Sequence, residues 1–77
     1  MNDLMCLNQM LPGQKAVVKK MYTRGSMRRR FLDIGLIGET VVECVGKSPL
    51  GDPAAYLIRG AVIALRSEDC KDIFVKV

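Results

Sequence analysis

The sequence predicts a single, mainly β domain spanning residues 1–77: a small curled barrel of about five short strands with one or two short helices. Three observations carry this. A chain of 77 residues buries only about 60–65% of the surface its unfolded form exposes, which leaves room for one small core and no second domain. Its apolar share of 49% and charged share of 26% lie in the ordinary globular range, well away from disorder. Short β-branched runs alternate with turn residues along the chain, and curling such strands into a barrel limits exposed edges.

The elements follow in order. Pro12-Gly13 signals a turn, and Gln14-Lys-Ala-Val-Val-Lys-Lys-Met-Tyr22 behind it has the β-branched and aromatic content of a first strand, which Thr23-Arg24-Gly25 ends. Ser26 then reads as an N-cap. Met27, Phe31 and Ile34 recur at i, i+4 and i+7, and Gly35 stands where a helix stops in the left-handed conformation, with Leu36 tucked behind. After Gly38, Thr40–Val45 reads as a strand with Val42 and Cys44 on one face and Val41, Glu43 and Val45 on the other. Ser48-Pro-Leu-Gly-Asp-Pro53 is dense in turn residues and reads as an exposed loop. Two strands, Ala55–Arg59 and Ala61–Arg66, join at Gly60 in a tight turn or bulge. Ser67 reads as the N-cap of a single helical turn whose first acids, Glu68 and Asp69, suit the helix dipole. Ile73–Val77 closes the sheet. The periods bring Phe31, Ile34, Leu36, Val42, Cys44, Ile63, Leu65 and Ile73 together as the core.

Composition narrows the function. Twelve Lys and Arg against eight Asp and Glu leave a charge of +4, which favours an acidic protein, a nucleic acid or an anionic surface as partner. The chain has no histidine, so Ser-His-Asp, Cys-His and His-based zinc arrangements are ruled out. The acids, Asp3, Asp33, Glu39, Glu43, Asp52, Glu68, Asp69 and Asp72, stand in no catalytic motif, and the glycines match no phosphate-cradling loop. No enzymatic activity is expected. Cys6, Cys44 and Cys70 are an odd number without C-x-x-C spacing and read as free thiols, the latter two as small apolar filler. No obligate cofactor and no metal ligands follow. The longest apolar run, Ala61–Leu65, is far too short to span a bilayer. Asp3, Asn8 and Gln9 break any signal-peptide pattern, so a cytoplasmic protein without membrane insertion is expected.

Two features point to binding. Arg28-Arg29-Arg30 stands in the first half of the expected helix, against the positive end of its dipole. A solvated face, with Arg29 paired to Asp33 at i+4 and the Arg28 stem over apolar surface, is one reading; a basic docking patch extended by Arg24 is the other. The loop Pro49-Leu50-Gly51-Asp52-Pro53 is stiffened by two prolines and presents Leu50 and Asp52, which lowers the entropy lost on binding; a plain strand connection satisfies the same residues. Arg24, Arg28, Arg29, Arg30, Pro49, Leu50, Asp52 and Pro53 make up the candidate partner surface.

The run Arg30-Phe-Leu-Asp-Ile-Gly-Leu36, then Ser48–Pro53, then Ile63-Ala-Leu-Arg66 closely resembles the ferrous iron transport protein A (FeoA) family in order and spacing. Leu7-Asn-Gln-Met-Leu-Pro-Gly13 is similar to that family's lead into its first strand. Gly38-Glu39 stands where the family usually has Pro-Gly. The resemblance implies an SH3-like barrel without enzymatic activity, an accessory of bacterial ferrous iron uptake that binds FeoB, a membrane permease with a cytoplasmic GTP-binding domain, and supports or regulates it. The same fold resembles the C-terminal domain of iron-dependent repressors, which implies at most a weak transition-metal (Fe2+) association and makes a transition-metal-responsive binding domain one alternative. A nucleic-acid-binding SH3-like module is the other, disfavoured because Tyr22, Phe31, Tyr56 and Phe74 all read as core residues and leave few stacking platforms.

Overall fold

Each of the five expected strand runs forms a strand. The computed structural model describes residues 4–77; Asp3 lies outside them. The strands are β1 (Leu4–Cys6), β2 (Lys15–Met21), β3 (Val41–Lys47), β4 (Ala54–Ile58), β5 (Ala61–Leu65) and β6 (Ile73–Lys76), with helices α1 (Gly25–Asp33) and α2 (Ser67–Cys70) and a 3-10 turn at Leu7–Gln9. They form one antiparallel sheet in the order β1-β6-β2-β3-β4-β5. The sheet curls into a barrel-like shape whose end strands, β1 and β5, do not pair. β1 was not foreseen: three residues are too few to show alternation, and it exists through pairing with β6, Leu4 opposite Lys76 and Cys6 opposite Phe74.

The core gathers where the inward faces of the sheet meet α1 and the 3-10 turn. Phe31, Leu36, Val42, Cys44, Leu65 and Ile73 are buried as expected, joined by Leu7, Met10, Val18, Tyr56, Ile58, Cys70 and Val75 among others. Ile34 and Ile63, expected in the core, are only partly buried and pack on its rim. For Ile34 the cause is its position as the C-cap of α1, where the chain already leaves the helical path. Tyr22 also departs from expectation: it is 57% exposed, resting edge-on against Phe74 with ring centres 5.8 Å apart. Buried Tyr56 donates from Oη to the Leu7 carbonyl at 3.3 Å, and burial above all pushes its phenol pKa up, so it serves as a neutral donor.

The helix ends show which local signals decide. At the C-terminus of α1, Gly35 adopts φ +89, its N–H donates to the Leu32 carbonyl at 3.0 Å, and that of Leu36 donates to the Phe31 carbonyl at 2.9 Å. This is the paired-bond ending that glycine permits, with two buried apolar residues, Leu36 and Phe31, joined across it. Both expected serine caps are displaced. Arg24 is the N-cap of α1 without a side-chain cap bond, and Ser26 lies inside the first turn. Arg66 is the N-cap of α2, and the Ser67 N–H is satisfied instead by the Asp52 carboxylate at 2.8 Å. β4 and β5 join through Arg59 and Gly60, both at positive φ (49 and 83), as a two-residue hairpin turn of the mirror-image type requires.

Candidate partner-docking surface

The arginine run sits in mid-helix rather than at the helix start, because α1 begins at Gly25 and Arg30 already belongs to its last turn. The dipole acts within the first and last turns, so the cost that set these residues apart in the sequence is small. What remains is charge without partners. Among the described residues the ion pair within 4 Å joins Lys19 and Glu39 at 3.1 Å; the expected pairing of Arg29 with Asp33 is not formed. Arg24, Arg28, Arg29 and Arg30 are all exposed.

The run divides between two flanks of α1, since residues two apart on a helix point about 200° apart. Arg28 lines a groove between α1 and β2 with Lys19, Lys20, Leu32, Leu36 and Ile37. Leu32 and Ile37 are 41% and 40% exposed, so this groove pairs apolar surface with cations. Arg30 instead lines a cleft of about 410 Å³ with Met27, Ala64, Leu65, Arg66 and Asp69. Lys19 and Lys20 were not singled out in the sequence, although a signal was present: two adjacent lysines in one strand break alternation. The register shift between Val18 and Lys20 is the bulge that lets both reach solvent.

The loop from Ser48 to Pro53 is exposed and internally tied. Gly51 N–H donates to the Ser48 carbonyl at 2.7 Å, Ser48 N–H to the Pro53 carbonyl at 3.1 Å, and Ser48 Oγ to the Asp52 carbonyl at 2.7 Å. Leu50 at its tip is 93% exposed, the most exposed of the large apolar side chains. Pro49 and Pro53 flank it in the open. Asp52, expected to face a partner, is committed to Ser67 and fixes the loop against the start of α2. Through Asp52 and Ser67 the loop is tied next to Arg66, which shares a cleft with Arg30; Arg28 and Arg29 line the other flank.

At the groove's edge, Glu39 holds φ +67, the conformation glycine adopts most easily. Its N–H donates to the Val18 carbonyl at 2.8 Å, and its carboxylate takes both bonds from Lys19 at 3.1 Å. No helix of the described residues is long and apolar enough to cross a membrane, and no group of three or more Cys, Asp and Glu among them is placed to hold a metal ion.

Comparison with known proteins places this geometry. The solved FeoA-like protein of Clostridium acetobutylicum is 34% identical and superposes with a TM-score of 0.88, covering 100% of this chain and 90% of that one. FeoA of Stenotrophomonas maltophilia, solved in complex with zinc and described as a prokaryotic SH3 domain protein, is 25% identical with a TM-score of 0.78, over 94% of this chain and 89% of that one. A fusion of Fe(2+) transport protein A with the Fe(2+) transporter FeoB in Porphyromonas gingivalis is 33% identical over 73 residues; these are 95% of this chain but 9% of the fusion protein's length. The FeoA domain model matches residues 5–77, nearly every residue of the SH3-like sheet and its two helices, and the chain belongs to the FeoA domain family.

Proposed function

We propose that this domain is a cytoplasmic accessory of bacterial ferrous iron uptake, which docks onto a FeoB-type permease and supports or regulates it. The fusion of a related domain to an Fe(2+) transporter carries the reading. Joining two modules in one chain turns their encounter into an intramolecular event at high effective concentration, and the contact itself has to come from the surface of each module. The surface proposed is the exposed arginine group Arg24, Arg28, Arg29 and Arg30 with Lys19 and Lys20 beside it, together with Pro49, Leu50, Asp52 and Pro53. Leu50 supplies an apolar anchor on a stiff loop, the arginines supply steering toward an acidic surface, and Asp52 acts by holding the loop in place. The permease's GTP-binding domain is the proposed target.

The test is binding to a detergent-solubilised FeoB-type permease by the wild-type domain and by a variant carrying R28E and R29E. Both side chains are exposed, so the variant should fold normally. Its affinity should drop at low salt and converge on the wild-type value at high salt, because surface charges are screened over about 8–10 Å at physiological ionic strength. Unchanged affinity at low salt would reduce the patch to a solvated face, and loss of random-duplex DNA binding in the same variant would favour the nucleic-acid alternative.

A further inference from the structure

β5 ends the sheet, and nothing in its sequence closes that end. Ala61-Val-Ile-Ala-Leu65 contains no charge and no proline, and its register with β4 runs from Ile58 opposite Ala61 to Ala54 opposite Leu65 without a bulge. Edge strands ordinarily carry such devices, because an unpaired row of backbone groups is a template for another strand. The other edge, β1, is only three residues long.

The register identifies the free groups. The two-residue turn at Arg59-Gly60 makes Ile58 and Ala61 a hydrogen-bonded pair. Alternation along an antiparallel ladder then directs Ile63 and Leu65 to β4 and turns the N–H and C=O of Val62 and Ala64 outward. Both residues are exposed, Val62 at 64%, and among the described residues no backbone bond from elsewhere reaches them. The cleft lined by Ala64, Leu65, Met27, Arg30, Arg66 and Asp69 lies beside this edge.

We propose that the free edge of β5 accepts a further strand: an extended segment of the docking partner, apolar at alternate positions and flanked by acidic residues. The inference rests on the docking function proposed above and names the element that makes the contact. Charge selects the occupant. Arg59 precedes β5 and Arg66 follows it, and in the cleft Arg30 and Arg66 outnumber the one acid, Asp69. Antiparallel pairing of two copies through β5 sets Arg59 of one beside Arg66 of the other at both ends of the ribbon, and like charges across strands are destabilising. An acid-flanked strand from another protein meets the same arginines with opposite charge, while main-chain bonds to Val62 and Ala64 supply the affinity.

Hydrogen exchange resolved to single amides tests this, on the domain alone and bound to detergent-solubilised FeoB-type permease. Alone, Val62 and Ala64 should exchange faster than Ile63 and Leu65; in the complex they should slow by at least about tenfold, the worth of one or two backbone hydrogen bonds. Ala64→Pro deletes an edge donor that makes no bond in the free domain, so it should leave the melting temperature in place and weaken the complex by a similar factor. The wild-type exchange pattern decides the matter even if that variant folds poorly. A complex in which Val62 and Ala64 stay unprotected overturns the edge assignment and leaves docking standing; no complex at all overturns both. Protection that grows with the concentration of the domain alone gives the edge to a second copy and overturns the partner assignment.

Discussion

Cys70 shows how a residue's surroundings settle its chemistry. It is fully buried, and its thiol is pushed up to about 12, by burial first and then by the negative charge of Asp69 and Asp52. Reactivity belongs to the thiolate, so near neutral pH Cys70 is a small apolar filler, in keeping with the sequence reading. The folded state holds this proton over the window from the ordinary value of 9.0 up to about 12, where the unfolded chain has lost it. Its contribution is therefore fully present below 9.0 and is lost as pH rises through the window. Melting temperature should fall above pH 9, and Cys70→Ala should flatten the first part of that fall; an equally steep fall in the variant would contradict the assignment. Other residues were harder to place from sequence. Phe31 and Val42 were legible because their neighbours repeat the same period, whereas Tyr22 follows a strand and Ile34 ends a helix, so neither has a period on its far side to fix its direction.

Among the elements, strands and helices were legible down to four residues, the three-residue β1 and 3-10 turn were not, and neither were the caps. Gly35 was the exception, because a glycine closing an apolar helical stripe has few other uses. Ser26 and Ser67 carried equally good local signals and lost. The approach of Asp52, fifteen residues away, satisfied the Ser67 N–H from outside, which no local rule anticipates. At Gly35 two independent constraints coincide: φ is +89, and a methyl group there would collide with the Arg59 side chain, whose Nε also donates to the Gly35 carbonyl at 3.3 Å. Gly35→Ala should cost about 1–3 kcal/mol through backbone strain, with the α1–β3 connection loosening before the sheet. Urea unfolding measures it, and a change below about 0.5 kcal/mol, typical of an uneventful surface position, would show that the turn adapts.

For the whole molecule, the sequence exposed the fold class because the strand runs are short, apolar and punctuated, but it left the site incomplete. The groove needs Lys19 and Lys20 from β2 beside Arg28 from α1, and only the folded sheet makes them neighbours. The same long-range view bears on iron. Cys44 and Cys70 are fully buried, the Cys6 thiol donates to the Lys71 carbonyl at 3.4 Å, and the chain has no histidine. Ferrous iron takes imidazole, carboxylate or thiolate donors held in a cluster, and the described residues place no three such side chains together. If the domain acts by contact with a permease, the metal is cargo that the permease handles, and this surface needs no ion to form. Anaerobic calorimetry with ferrous ion should then show no saturable one-to-one binding in the low micromolar range, and the affinity for the permease should be the same with and without a chelator. Saturable binding, together with a chelator-sensitive complex, would instead make this domain a metal-responsive module whose docking is switched by the ion it helps to move.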